Sequence, residues 1–129
     1  MNEEFYRRKI TAAIKPVLTV KWSEPVLDEG YIAFPKRLLR AARKIFQGEH
    51  AMEQLTVALA LADYIRPDNT RPPSVGFLAF TAGLDAERFQ ERLRELTDAG
   101  LVSWVGNREG LKYSLEGLQQ AILDNSGEE

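Results

Sequence analysis

The sequence contains no cysteine, which excludes disulfides, thiolate metal sites and cysteine nucleophiles. His50 is its single histidine, so zinc would depend on carboxylates for nearly all its ligands and a histidine-based acid/base site has one candidate. Long apolar runs are also missing. The uncharged run from Ser74 to Leu84 is interrupted by Gly76, Thr81 and Gly83 and falls far short of the roughly 20 apolar residues that span a bilayer. Met1-Asn2-Glu3-Glu4 is acidic where an export signal needs cations before an apolar core, so export is not supported and a cytoplasmic location is expected. Asp63 and Asp85 lack the partners of an acid/base pair, and there is no glycine-rich phosphate loop. An enzyme is therefore not expected, nor a metal or cofactor.

What is present suits a globular chain. Its 129 residues fit one domain, and 44% hydrophobic with 28% charged residues is enough to bury a core. The net charge of -2 conceals a division. Residues 1–50 hold ten Lys/Arg against six Asp/Glu, a balance of +4, whereas residues 51–129 hold seven against thirteen, a balance of -6.

Phe5, Ile10, Ala13 and Ile14 recur at helical spacing and predict a helix from about Glu3, stopped near Ile14 by Pro16 and followed by an extended Val17 to Trp22. Pro25 and Asp28-Glu29-Gly30 read as loop, with a short strand from Tyr31 to Phe34. Pro35 suits the first turn of a helix running to Phe46. At about 100° per residue, Leu38, Leu39, Ala42, Ile45 and Phe46 share one arc of that helix, and Lys36, Arg37, Arg40, Arg43 and Lys44 share the other without any acid. Such a stripe is either a solvated face or a surface for a polyanion.

Ala51 to Ile65 is apolar on nearly every side and belongs at the centre of the fold. His50 before it, with Glu53 three residues on, reads as a helix start. Ser74 is the expected N-cap of a short helix over Val75, Leu78 and Ala79 that ends at Gly83. A longer helix follows with Ala86, Phe89, Leu93 and Leu96 inward, closed by Gly100. Leu101 to Val105 and Leu111 to Leu115 flank Gly106-Asn107-Arg108-Glu109-Gly110, a loop of hairpin length, and Ser114 can cap a last helix over Leu118, Ala121 and Ile122. Trp22 and Trp104 read as packing residues. Asn125 to Glu129 is expected to be a disordered tail.

The order helix, short helix, glycine turn, longer helix and hairpin is that of a winged helix-turn-helix. Leu59-Ala60-Leu61-Ala62-Asp63-Tyr64, Arg71-Pro72-Pro73-Ser74, Leu78-Ala79, Gly83-Leu84, Leu93, Leu96 and Gly100-Leu101-Val102 resemble the winged-helix domains of bacterial, phage and plasmid transcription and replication-initiation proteins. The resemblance covers about residues 50–118. It implies a mainly α fold with a small β-hairpin wing (α+β), an N-terminal extension over 1–48 and a winged-helix domain over 49–124. It also implies duplex DNA contacts from the second helix of the motif and the wing, here Arg88, Gln90, Arg94, Arg108 and Lys112. The helix departs from a cationic pattern: Asp85 to Asp98 holds five acids against three arginines, with Glu87, Glu91, Asp98 and Arg94 outermost. Phosphates repel carboxylates. Arg88, Arg92 and Arg94 are placed to pair with Glu91, Glu95 and Asp98, which moves the expected phosphate contacts toward Lys36, Arg37, Arg40, Arg43 and Lys44. The expected function is thus a non-enzymatic DNA-binding regulator of transcription or replication. The alternative is a protein-interaction module that presents its acidic helix to a basic partner. A homodimer is expected under either.

Overall fold

A computed structural model describes residues 15–65, 74–106 and 111–127. The chain divides into two compact units, Met1–Ala33 and Phe34–Glu129. In the first, α1 spans Lys15–Trp22. Val17 to Trp22 is therefore helical where extended chain was expected. Pro16 occupies the first turn of α1, where its missing N–H is not needed, and so begins this helix. Ser23, at φ 70, leaves the helix while its N–H still donates to Thr19 O at 2.9 Å. Two turns follow, with Leu27 N–H bonded to Glu24 O and Gly30 N–H to Leu27 O. The helix expected over Glu3 to Ile14 lies outside the described residues. Tyr31 to Phe34 is not a strand, since no extended segment pairs with it.

The second unit holds α2 (Lys36–Ile45), α3 (Ala51–Tyr64), α4 (Val75–Ala82), α5 (Ala86–Asp98), β1 (Ser103–Gly106), β2 (Leu111–Ser114) and α6 (Glu116–Asn125). Six helices and one two-stranded antiparallel sheet among the described residues make the protein mainly helical. No helix is long and apolar enough to cross a membrane among these residues.

The basic helix shares the larger unit's core, because the division at Phe34 lies upstream of the boundary expected at residue 48. Leu38 and Ala41 of α2 are buried, Ala42 and Ile45 pack against the core, and Phe46 is buried where the helix ends. Leu39 was expected inward but is 69% exposed. The buried arc centres on Leu38, Ala41 and Ile45, which leaves Leu39 about 130° away. α2 packs against α6.

At the centre, α3 buries Val57, Ala58, Ala60 and Leu61, and both α4 and α5 pack on it. Ser74 caps α4, its Oγ accepting from Phe77 N–H at 3.2 Å. Gly83 takes φ 78 and so turns the chain out of α4, with Leu84 N–H reaching back to Ala79 O at 2.9 Å. Asp85 then caps α5, accepting from Arg88 N–H at 2.8 Å. Phe89 and Leu96 are fully buried beneath α5 and Leu93 is partly so. Ala86, expected inward, is exposed at the first residue of the helix.

In the sheet Ser103 lies opposite Ser114, Trp104 opposite Tyr113, Val105 opposite Lys112 and Gly106 opposite Leu111. The Trp104 and Tyr113 rings meet edge to face at 4.3 Å, the cross-strand aromatic pair that most favours this register. Glu116 N–H donates to Ser114 Oγ at the start of α6. The helix begins hard against the turn after α5. Leu118 N–H bonds Leu101 O at 2.9 Å, and a Cβ on Gly117 would sit 1.8 Å from Gly100 O. Only glycine permits that approach. At the other end Asn125 Nδ2 donates to Ala121 O and Ser126 is buried, so both residues belong to the packed unit and not to a loose tail.

Candidate nucleic-acid interface

The five cations of α2, Lys36, Arg37, Arg40, Arg43 and Lys44, are all exposed on the side opposite Leu38 and Ala41. Packing fixes this orientation: burying Leu38, Ala41, Ala42 and Ile45 leaves the cations nowhere else to point. None forms an ion pair with any described residue, and the only acids near them in sequence are outside the helix. Lys36 and Lys44 are eight positions apart, so the stripe runs about 12 Å at 1.5 Å per residue. Arg40 stands three or four residues from each of the other four. Each such like-charge pair costs about 0.2–0.5 kcal/mol on a helix surface. Among the described residues nothing offsets this repulsion, which a polyanion would relieve.

On α5 the geometry differs. Arg92, placed on the helix flank by the sequence pattern, is buried with its side chain 7% exposed among three carboxylates. Its guanidinium lies 3.7 Å from Glu53 of α3, 3.0 Å from Glu91 and 3.6 Å from Glu95. Gln54 Nε2 donates to Glu95 Oε1 at 2.8 Å and ties α3 to α5 once more. Arg88 also pairs with Glu53. Arg92 Nε and Nη1 and Glu53 Oε1 are buried without a hydrogen-bond partner, so these contacts are ionic more than directional. Of the pairing expected at helical spacing within α5, Arg92 with Glu95 is formed, while Arg92 with Glu91 joins sequence neighbours. Arg88 is held instead by the neighbouring helix.

Of the remaining expected contacts, Gln90 and Arg94 are exposed on the outer side of α5, and Arg94 makes no ion pair with a described residue. They share that side with Glu87 and Asp98, also exposed. Lys112 is in β2, opposite Val105, on the sheet rather than on either helix. Arg108 lies outside the described residues. The structure thus gathers the α2 cations onto one face and leaves α5 with one outward arginine among acids.

His50 occupies the N-cap position of α3, as expected, but its side chain makes no capping bond, and its Nε2 lies 3.2 Å from the Glu49 carboxylate. Glu53 is the residue that sequence reasoning missed. Its signal was present: Glu53 precedes Val57 and Ala60 by four and seven positions, which puts a carboxylate on the buried face of an apolar helix. No group of His, Asp or Glu able to hold a metal exists among the described residues. Comparison with protein families, curated proteins and solved structures returned no match to this chain.

Proposed function

We propose that the chain is a winged helix-turn-helix DNA-binding protein, acting as a regulator of transcription or replication, that attracts duplex phosphates chiefly through α2. The observation that carries this reading is the stripe of five exposed cations without a counter-charge among the described residues. Support for the fold assignment comes from the sequence of elements: α3, then α4, the Gly83 turn and α5, then the antiparallel β1 and β2. In this assignment α5 is the second helix of the motif and the strands form the wing.

The division of labour follows from charge. Phosphates are repelled by Glu87 and Asp98, and Arg88 is already engaged by Glu53, so α5 contributes through Gln90 and Arg94 and supplies little general affinity. Lys36, Arg37, Arg40, Arg43 and Lys44 position the protein on the backbone without reading sequence. Arg108 and Lys112 add contacts from the wing. Reversing Arg40 and Arg43 to glutamate weakens binding to all duplexes alike, and mobility-shift titration over several unrelated sequences tests this. Undiminished binding by that variant would refute the assignment of the phosphate contacts to α2.

The acid-bearing outer side of α5 favours a second use of the fold, contact with a basic protein surface.

A further inference from the structure

The unit Phe34–Glu129 carries twelve Lys/Arg and fourteen Asp/Glu, a balance of -2. It is nearly neutral as a whole yet strongly polarised. Five of its cations stand together on the outer face of α2, and none has a partner among the described residues. On the outer face of α5 stand Glu87, Glu91 and Asp98, at spacings of four and seven, with Arg94 the one cation among them. Glu87 and Asp98 are exposed and unpaired among the described residues, and Glu91 gives one oxygen to Arg92 with its side chain 46% exposed. At 1.5 Å per residue the acidic stripe is about 16 Å long and the basic one about 12 Å. The two match to within one helical turn.

We infer that the α2 face docks on the α5 face of a second copy of this chain. Charge complementarity selects this occupant: the molecule carries both halves of the contact, the α2 cations and Glu87 and Asp98 each without a counterpart among the described residues, and its near-neutral total opposes association little. With α2 of each copy on α5 of the other, the assembly so inferred is a two-fold dimer rather than an open chain. The pairing is ionic and solvent-exposed at its rim, so it weakens with salt. It stands independently of DNA binding. Where a duplex occupies α2, dimer and duplex complex exclude each other.

The test is sedimentation velocity on the full chain with charge-swapped variants. The wild type sediments as a dimer at low ionic strength and as a monomer at high. Arg40→Glu plus Arg43→Glu is monomeric at low ionic strength, because it cuts the charge of the α2 stripe from +5 to +1 and puts two carboxylates at its centre, facing those of α5. Glu87→Lys plus Asp98→Lys is monomeric as well, because both are then basic. An equimolar mixture of the two variants restores the dimer, each copy supplying what the other lacks. The milder Glu87→Gln plus Asp98→Asn weakens the dimer without reversing a charge and guards against loss of folding in the lysine variant. A wild type that stays monomeric at low salt, a dimer that survives either reversal, or a mixture that remains monomeric overturns the inference. Duplex binding lost in Arg40→Glu plus Arg43→Glu while the mixture stays monomeric would leave the DNA reading standing alone.

Discussion

Among the described residues, replacing Glu53 by alanine removes the only carboxylate that reaches both Arg88 and Arg92 from a different helix. Breaking a buried ion pair at one partner costs about 3–5 kcal/mol, mostly because a charge is left uncompensated. Arg92 is 93% shielded, its side chain being 7% exposed, but it keeps Glu91 at 3.0 Å and Glu95 at 3.6 Å. Those two carboxylates are half in solvent, which lessens the loss without cancelling it. The expected cost of Glu53→Ala is therefore about 2–3 kcal/mol. Arg92→Met, which keeps much of the volume and leaves Glu53 with Arg88, is expected to cost about 1 kcal/mol or less. The double variant costs less than the two singles together, a coupling of about 1 kcal/mol or more across residues in direct contact. Urea denaturation measures each value. For m near 1.5 kcal/mol/M, Glu53→Ala lowers the midpoint by roughly 1.5–2 M with the slope unchanged. A cost below about 0.5 kcal/mol, the range of ordinary surface changes, would refute the reasoning, as would strict additivity.

Other outcomes follow from the same structure. Gly117→Ala drives a methyl into Gly100 O, 1.8 Å away on backbone that cannot yield cheaply, and is expected to cost at least about 3 kcal/mol, read as a fall in Tm of about 12 °C or more. Arg40→Gln removes four like-charge pairs at helical spacing, so the protein gains about 0.8–2 kcal/mol at low salt while duplex binding weakens; equal stability at low salt would contradict the repulsion. Tyr113 is held above the usual phenol value near 10 by burial. Its folded pKa is the raised one, so its contribution is complete below the unfolded value and is lost as pH climbs from about 10 toward the folded value. Denaturation at stepped alkaline pH follows this, and Tyr113→Phe flattens the decline.

The helical elements of the larger unit were legible because each is written by its own residues. Pro35, Ser74, Gly83, Asp85 and Gly100 mark ends by local backbone chemistry, and the apolar spacing of α3 and α5 marks what is inside. What stayed hidden depends on a second element. Arg92 reads as a flank residue until Glu53 of α3 faces it. Leu39 reads as core until α6 sets the direction in which α2 is buried. Pro16 stands in the first turn of α1, whereas the pattern alone favoured reading it as the end of a helix. The charge stripe of α2 was legible in full, since five cations and no acid on one arc need no partner to be seen. The acid excess of α5 was legible too, but not the fact that Glu53 draws two of its three arginines toward α3.

The central claim is that α2 supplies the attraction for duplex phosphates, and the salt dependence of duplex binding tests it most directly. Each phosphate neutralised contributes about -0.9 to the slope of log K against log salt, so three to five contacts give a slope of about -2.7 to -4.5. The wild type then loses about 40- to 500-fold in affinity between roughly 50 and 200 mM salt. Arg40→Glu plus Arg43→Glu is predicted to make the slope shallower by about 2 and to weaken binding to unrelated duplexes equally. No salt-sensitive binding to any duplex at low ionic strength, or a slope that this double reversal leaves unchanged, would contradict the account.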